Sequence, residues 1–237
     1  GENGTTAGAK PIDNQRFFTR LAQRVIHILS TNMIGGRLYE VDLRLRPNGD
    51  SGLVVTSVQA LERYLKHDAW TWEHQALVRA RVVAGAPELV TQVAALRAEV
   101  LSTCRDDVSL ADDVTAMRQK MRDHSPAVGD ESHRVALKYE HGGIVDIEFV
   151  VQYLVLKHAA RYPDVGRWSD VVRILEALEA CEILSSSDAN SLKEAYLGLR
   201  SSVHRAAVSN ASDSDSVEAD GLMKQASAVC TRLLPSL

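Results

Sequence analysis

Two carboxylates and two guanidiniums alternate along one short stretch. Tyr39-Glu-Val-Asp-Leu-Arg-Leu-Arg-Pro47 sets Glu40, Asp42, Arg44 and Arg46 at every second position. In an extended chain those four side chains share one face, about 7 Å apart at ~3.3 Å rise per residue. Paired carboxylates suit a hard cation such as magnesium. Guanidinium forks suit phosphate oxygens. Acid and base on one strand face therefore describe a metal–nucleotide site. The same pattern also makes the solvated face of a half-covered sheet, and the stretch taken alone favours that plainer reading.

Three further stretches could carry chemistry. Trp70-Thr-Trp-Glu-His-Gln-Ala-Leu-Val-Arg-Ala-Arg81 reads as a helix, predicted over 70–84. Its tryptophans are anchors by size, and Trp72 is expected in the interior. Arg79 and Arg81 serve either ion pairs or phosphate. Leu137–Phe149 combines a short alternating segment, Val135–Tyr139, with Gly142-Gly143 and a helix start. Lys138 and the two glycine amides could approach an anion. Asp146 and Glu148 would serve a helix dipole with no further role. Met117–Arg122 reads as a basic solvated face with Met117 and Met121 in the core. A hydrolase triad, a P-loop and a zinc-ligand spacing are all missing from the sequence.

The elements that must position these residues follow from period. Apolar residues at helical spacing over 14–30 predict a first helix. Gly35-Gly36 then admits the alternating strand, Pro47–Gly52 turns, and Leu53–Thr56 returns, so 37–56 is predicted to be a β-hairpin. The alternation also predicts Tyr39, Val41, Leu43 and Leu45 on the buried face. Thr56 and Gln59 have capping-box spacing ahead of a helix over 57–67. Further helices are predicted at 87–104, 109–124, 144–160, 168–183, 187–207 and 217–234. Ser125, Pro126 and Gly129 interrupt the run, and Asn210–Asp220 reads as an exposed polar loop. The expected class is mainly α (α+β): an α/β hairpin piece over 1–56, then a helical bundle over 57–237.

Composition narrows the partners. A formal net charge of −4 argues against a nucleic-acid footprint or a polybasic membrane patch. The sequence holds no run near the ~20 apolar residues of a membrane span and no apolar signal core. Cys104, Cys181 and Cys230 are few and far apart, which fits a reducing cytoplasm. The Gly/Thr-rich lead-in over 1–12 is expected to be a loop inside something longer.

Taken together, Tyr39–Gly49, Trp70–Arg81 and Gly142–Gln152 resemble the bacterial glutamine synthetase adenylyltransferase/adenylyl-removing family, and the likeness runs from about Phe17 to about Arg200. Glu40, the Trp-Thr-Trp-Glu-His-Gln-Ala segment and Asp146 resemble its C-terminal, adenylyl-adding half. The resemblance implies a polymerase-β-like nucleotidyltransferase domain that transfers AMP from MgATP to a tyrosine of glutamine synthetase, with a PII-type signal protein as regulatory partner. It implies Asp42 and Glu40 as catalytic residues, Asp42 as a magnesium ligand, and Arg44, Arg46, Lys138, Gly142 and Gly143 as nucleotide contacts. The family's Gly-Ser…Asp-x-Asp motif is not in this sequence and is expected before residue 1, so this chain is expected to be inactive alone. Asp213-Ser-Asp215 lies in the polar stretch and does not replace it. The alternative is a helical interaction module that binds a partner without nucleotide chemistry.

Overall fold

In a computed structural model, the described residues are 4–124, 132–208 and 213–235. The chain divides into two compact units, Gly1–Ala69 with Ala86–Val93, and Trp70–Gly85 with Ala94–Leu237. The described residues are mainly helical with one two-stranded antiparallel sheet, in the class that the sequence predicts.

The first unit opens with α1 (Asn14–Ser30). The Asp13 side chain accepts from the Arg16 N–H at 3.1 Å and so caps the helix start. The apolar stripe read from the sequence is present, but none of it is fully buried: Phe17, Phe18, Leu21 and Val25 are exposed, and Ala22, Ile26 and Leu29 are half-buried. Strands β1 (Asn32–Met33) and β2 (Gly36–Arg37) pair antiparallel around a two-residue turn, with Gly36 at φ 101°. Helix α2 (Val58–His67) follows, and its Ser57 hydroxyl accepts from the Ala60 N–H at 3.1 Å. The cap is thus one residue later than the Thr56–Gln59 spacing implied.

The predicted hairpin over 37–56 does not form. Residues 39–47 are irregular, and a short 3-10 turn occupies Gly49–Ser51. Tyr39 and Leu45 are exposed, against the expectation that they pack inward. Three local bonds explain the difference. Asp42 Oδ1 accepts from the Arg44 N–H at 2.9 Å, a side-chain turn that competes with extended pairing. Arg46 donates to the Leu43 carbonyl at 2.6 Å and the Gly52 carbonyl at 3.2 Å, and closes the loop on itself. Among the described residues no other strand flanks this stretch, and a lone two-stranded ribbon is marginal in water.

The second unit is built around α7 (Ile144–His158). Its sequence is apolar on every side, which marks a helix surrounded by protein rather than a surface helix. Ile147 and the run from Phe149 to Leu156 are all buried. Around it pack α3 (Thr71–Val78), α5 (Asp107–Asp123), α6 (Ser132–Tyr139), α8 (Val171–Ala180), α9 (Ser186–Val208) and α10 (Asp213–Leu233). Helix α4 (Pro87–Leu101) contributes Leu96, Val100 and Leu101 to the buried set.

Several expectations are corrected here. The helix predicted over 70–84 ends at Val78, where the Arg97 guanidinium binds the carbonyls of Leu77 at 3.0 Å and Val78 at 2.5 Å. Trp72 is half-buried rather than enclosed, and Trp70 is exposed. Val135–Tyr139 belongs to a helix, because Leu137 is buried where α6 packs on α7 and α9; five alternating residues cannot separate the two periods. Asp213–Asp220 is the first part of α10, not a loop. The break at Ser125–Gly129 lies outside the described residues, as do 209–212.

Candidate functional site

Asp42 and Arg44 sit in the first unit, on the loop that Arg46 fastens. The Arg44 guanidinium faces the Asp42 carboxylate with both prongs, Nε at 3.1 Å and a terminal nitrogen at 2.7 Å. Side-chain and backbone hydrogen bonds from Arg44 hold the Asp42 carboxyl down at about 2. Both side chains remain open to solvent, 49% for Asp42 and 76% for Arg44. Glu40 is exposed two residues earlier. Arg46 is half-buried, and its donors go to the backbone carbonyls named above rather than to Asp42.

The remaining candidates belong to the second unit. Gly142 stands at φ 77°, and a Cβ there would lie 1.9 Å from the Met223 carbonyl oxygen. Its N–H donates to Asp146 Oδ2 at 2.8 Å. The Gly143 N–H donates to the Glu140 carbonyl at 2.9 Å. Both amides are thus engaged inside the fold. Gly142 lets the start of α7 pass close against the backbone of α10, and Gly143 sits against the carbonyls of Leu137, Lys138 and Glu140.

Asp146 does far more than complement a dipole. It is 2% exposed and accepts from Arg118 Nε at 2.5 Å and from Arg122 at 3.3 Å. Arg118 is 0% exposed and also donates to the Tyr139 carbonyl at 2.5 Å. The basic segment on α5 is therefore not the solvated face that its sequence indicates: Arg118 crosses the core, and Met117 and Met121 pack partly buried beside it. Burial lowers the Arg118 pKa while Asp146 opposes that shift. No pattern around Arg118 announces this partner 28 residues away.

Lys138 lines a cavity of about 380 Å³ between α3, α6, α7 and α9. Arg79, Ile144, Glu148, Tyr196, Arg200, Val203 and His204 complete the wall. Arg79 pairs with Glu148 Oε1, and the Tyr196 hydroxyl donates to the same oxygen at 3.2 Å. Desolvation, with the Glu148 charge beside it, raises the Tyr196 pKa. The Arg200 guanidinium lies over the Tyr196 ring, 5.5 Å from its centroid. Of these residues, sequence reasoning singled out only Arg79 and Lys138 as anion contacts. Tyr196, Arg200 and His204 recur at four-residue spacing on one face of α9, which was the available signal.

A magnesium site requires several oxygen ligands on one centre. Among the described residues no group of three or more His, Cys, Asp or Glu side chains is arranged to hold a metal. Asp42 and Glu40 do not make such a site by themselves. No helix of the described residues is long and apolar enough to cross a membrane.

Comparison with known proteins agrees with the sequence motifs. Residues 1–96 match the glutamate-ammonia ligase adenylyltransferase family, and residues 115–232 match GlnD PII-uridylyltransferase. The chain is 48% identical over 213 residues to the bifunctional glutamine synthetase adenylyltransferase/adenylyl-removing enzyme of Pseudomonas putida. That alignment takes in 86% of this chain and 22% of the relative, so the chain spans well under half the length of the protein it matches. With that identity running through both compact units, the chain belongs to the glutamate-ammonia ligase adenylyltransferase family.

Proposed function

We propose that this chain carries part of the machinery that transfers AMP from ATP to a tyrosine hydroxyl of glutamine synthetase. The positions Glu40, Trp70–Ala76 and Asp146 support its assignment to the C-terminal, adenylyl-adding half of such an enzyme. The observation that carries the reading is the solvent-open Asp42–Arg44 pair, in the segment that matches the adenylyltransferase family.

In the proposed reaction the tyrosine oxygen bonds to the α-phosphorus of ATP. The bond from that phosphorus to the pyrophosphate oxygen breaks, and the hydroxyl proton is released. A carboxyl held near about 2 is ionised at neutral pH and is a weak base. Asp42 therefore orients the hydroxyl or binds a cation; it does not store the proton. Arg44 reaches solvent and supplies a fork for phosphate oxygens once Asp42 is otherwise engaged. Arg46 holds the loop in shape through its backbone bonds. Magnesium would need carboxylates beyond Asp42 and Glu40, and no step here is routed through it. Glutamine synthetase and a PII-type signal protein are the proposed protein partners.

The test is Asp42→Asn in the longer enzyme, read by AMP incorporation into glutamine synthetase from labelled ATP. Removing a group that stabilises transition-state charge predicts a loss on the order of 10²-fold or more. An exposed pair that only braces a loop is worth about 0–1 kcal/mol, so near-normal incorporation by a folded variant removes Asp42 from the chemistry.

A further inference from the structure

The cavity in the second unit holds three permanent cations, Arg79, Lys138 and Arg200, against one carboxylate, Glu148. Arg79 and Tyr196 both serve the same Glu148 oxygen, so that charge is already answered. Arg200 donates weakly, at 3.4 Å, to the Tyr196 hydroxyl. Neither Lys138 nor Arg200 has a carboxylate partner among the described residues, and His204 stands one turn beyond Arg200 on the same helix face. Two positive charges are left over around one pocket, which opens to solvent at Arg200 and His204.

The geometry points to a phosphate-binding site: the cavity takes a phosphate group of a small phosphorylated molecule. Three arguments select phosphate. The excess charge matches a dianion. The donors come from different directions, Lys138 from α6 and Arg200 and His204 from α9, as tetrahedral oxygens require and a planar carboxylate does not. Ile144 and Val203, both buried, back the donors with apolar surface, against which a charge-assisted bond is stronger than in open water. At about 380 Å³ the space is within the usual range of ligand pockets, ~300–1,000 Å³. The proposal shares Lys138 with the nucleotide contacts that the family resemblance implies, but Arg200 and His204 carry no such expectation, and the adenylyl-transfer reading rests on Asp42 in the first unit.

The experiment is calorimetric titration of the 237-residue chain without magnesium, using sodium pyrophosphate, ATP and, as a carboxylate control, succinate. Pyrophosphate or ATP is expected to bind, and Arg200→Gln and Lys138→Gln are each expected to weaken binding by about tenfold or more, as for loss of a charge-assisted contact. Lys193→Gln, which removes a half-buried lysine paired with Glu176 outside the pocket, should leave it unchanged. Tighter binding of ATP identifies a nucleotide as the source of the phosphate; equal or tighter binding of pyrophosphate identifies a free polyphosphate. Thermal unfolding of each variant checks the fold, and Lys138→Gln, at a half-buried position, keeps the test open if Arg200→Gln misfolds. Absence of binding, succinate binding as well as pyrophosphate, or binding indifferent to both substitutions overturns the proposal. None of these outcomes decides the Asp42 test, and a failed Asp42 test leaves this one standing.

Discussion

Asp146→Asn isolates the ion cluster inside the second unit. The substitution keeps size and one acceptor oxygen but removes the charge. Arg118 has no exposed surface and cannot turn to water, while Arg122 is partly open and can relax. Deleting one partner of a buried pair costs about 3–5 kcal/mol, mostly from the stranded charge. The retained acceptor and the Tyr139 carbonyl offset part of this, so about 3 kcal/mol is expected. All three tryptophans, Trp70, Trp72 and Trp168, belong to this unit, and urea unfolding followed by their fluorescence reports on it directly. At a denaturant slope of ~2 kcal/mol per molar, the midpoint should fall by about 1.5 M with the slope unchanged. The double variant Arg118→Met, Asp146→Leu should recover much of that loss, since the isolated charge is what costs. A midpoint shift below about 0.3 M for Asp146→Asn would refute the reasoning.

Three other expectations follow from the geometry. The Asp42 carboxyl should titrate near 2 by NMR instead of at its ordinary 3.8, and Arg44→Gln should return it upward. Because the folded value is the lower one, the pair's small stabilisation is present above about 4 and is lost as pH falls toward 2. Gly142→Ala should destabilise the second unit by more than about 2 kcal/mol in the same urea assay, since a positive φ and a backbone clash add; a loss under about 0.5 kcal/mol would mean α10 is not held there. Iodoacetamide should label exposed Cys104 and spare Cys230, whose thiol burial pushes up to about 12; mass spectrometry after a short exposure reads the outcome.

What could be read from the sequence differs sharply between the units. In the second unit α5, α7, α8 and α9 are where their apolar period puts them, because that period reflects burial they achieve within it: α7 is largely apolar and is enclosed. Helix α6 and the first turns of α10 carry no such period and are missed. In the first unit the same kind of pattern over α1 and over 39–45 describes faces of which no residue is fully buried and several are exposed, so it specifies a packing not completed among the described residues. Site residues divide in another way. Asp42 and Arg44 were found because they stand two residues apart. Arg118 and Asp146 meet only through the tertiary fold, and a charge that owes its place to a distant partner has no local signature.

Arg97 has a consequence of a different kind. Its guanidinium binds four backbone carbonyls, those of Leu77, Val78, Gly166 and Trp168. A carbonyl is the same in every residue type. Sequence drift at those four positions therefore leaves the lock intact as long as the backbone path is kept, whereas the arginine cannot be exchanged for lysine without losing its planar fork. Among diverging copies of this chain, position 97 should stay fixed without co-varying with any of the sites it holds. Methods that infer contacts from correlated substitution would then pass over a residue that joins three separate stretches of the fold.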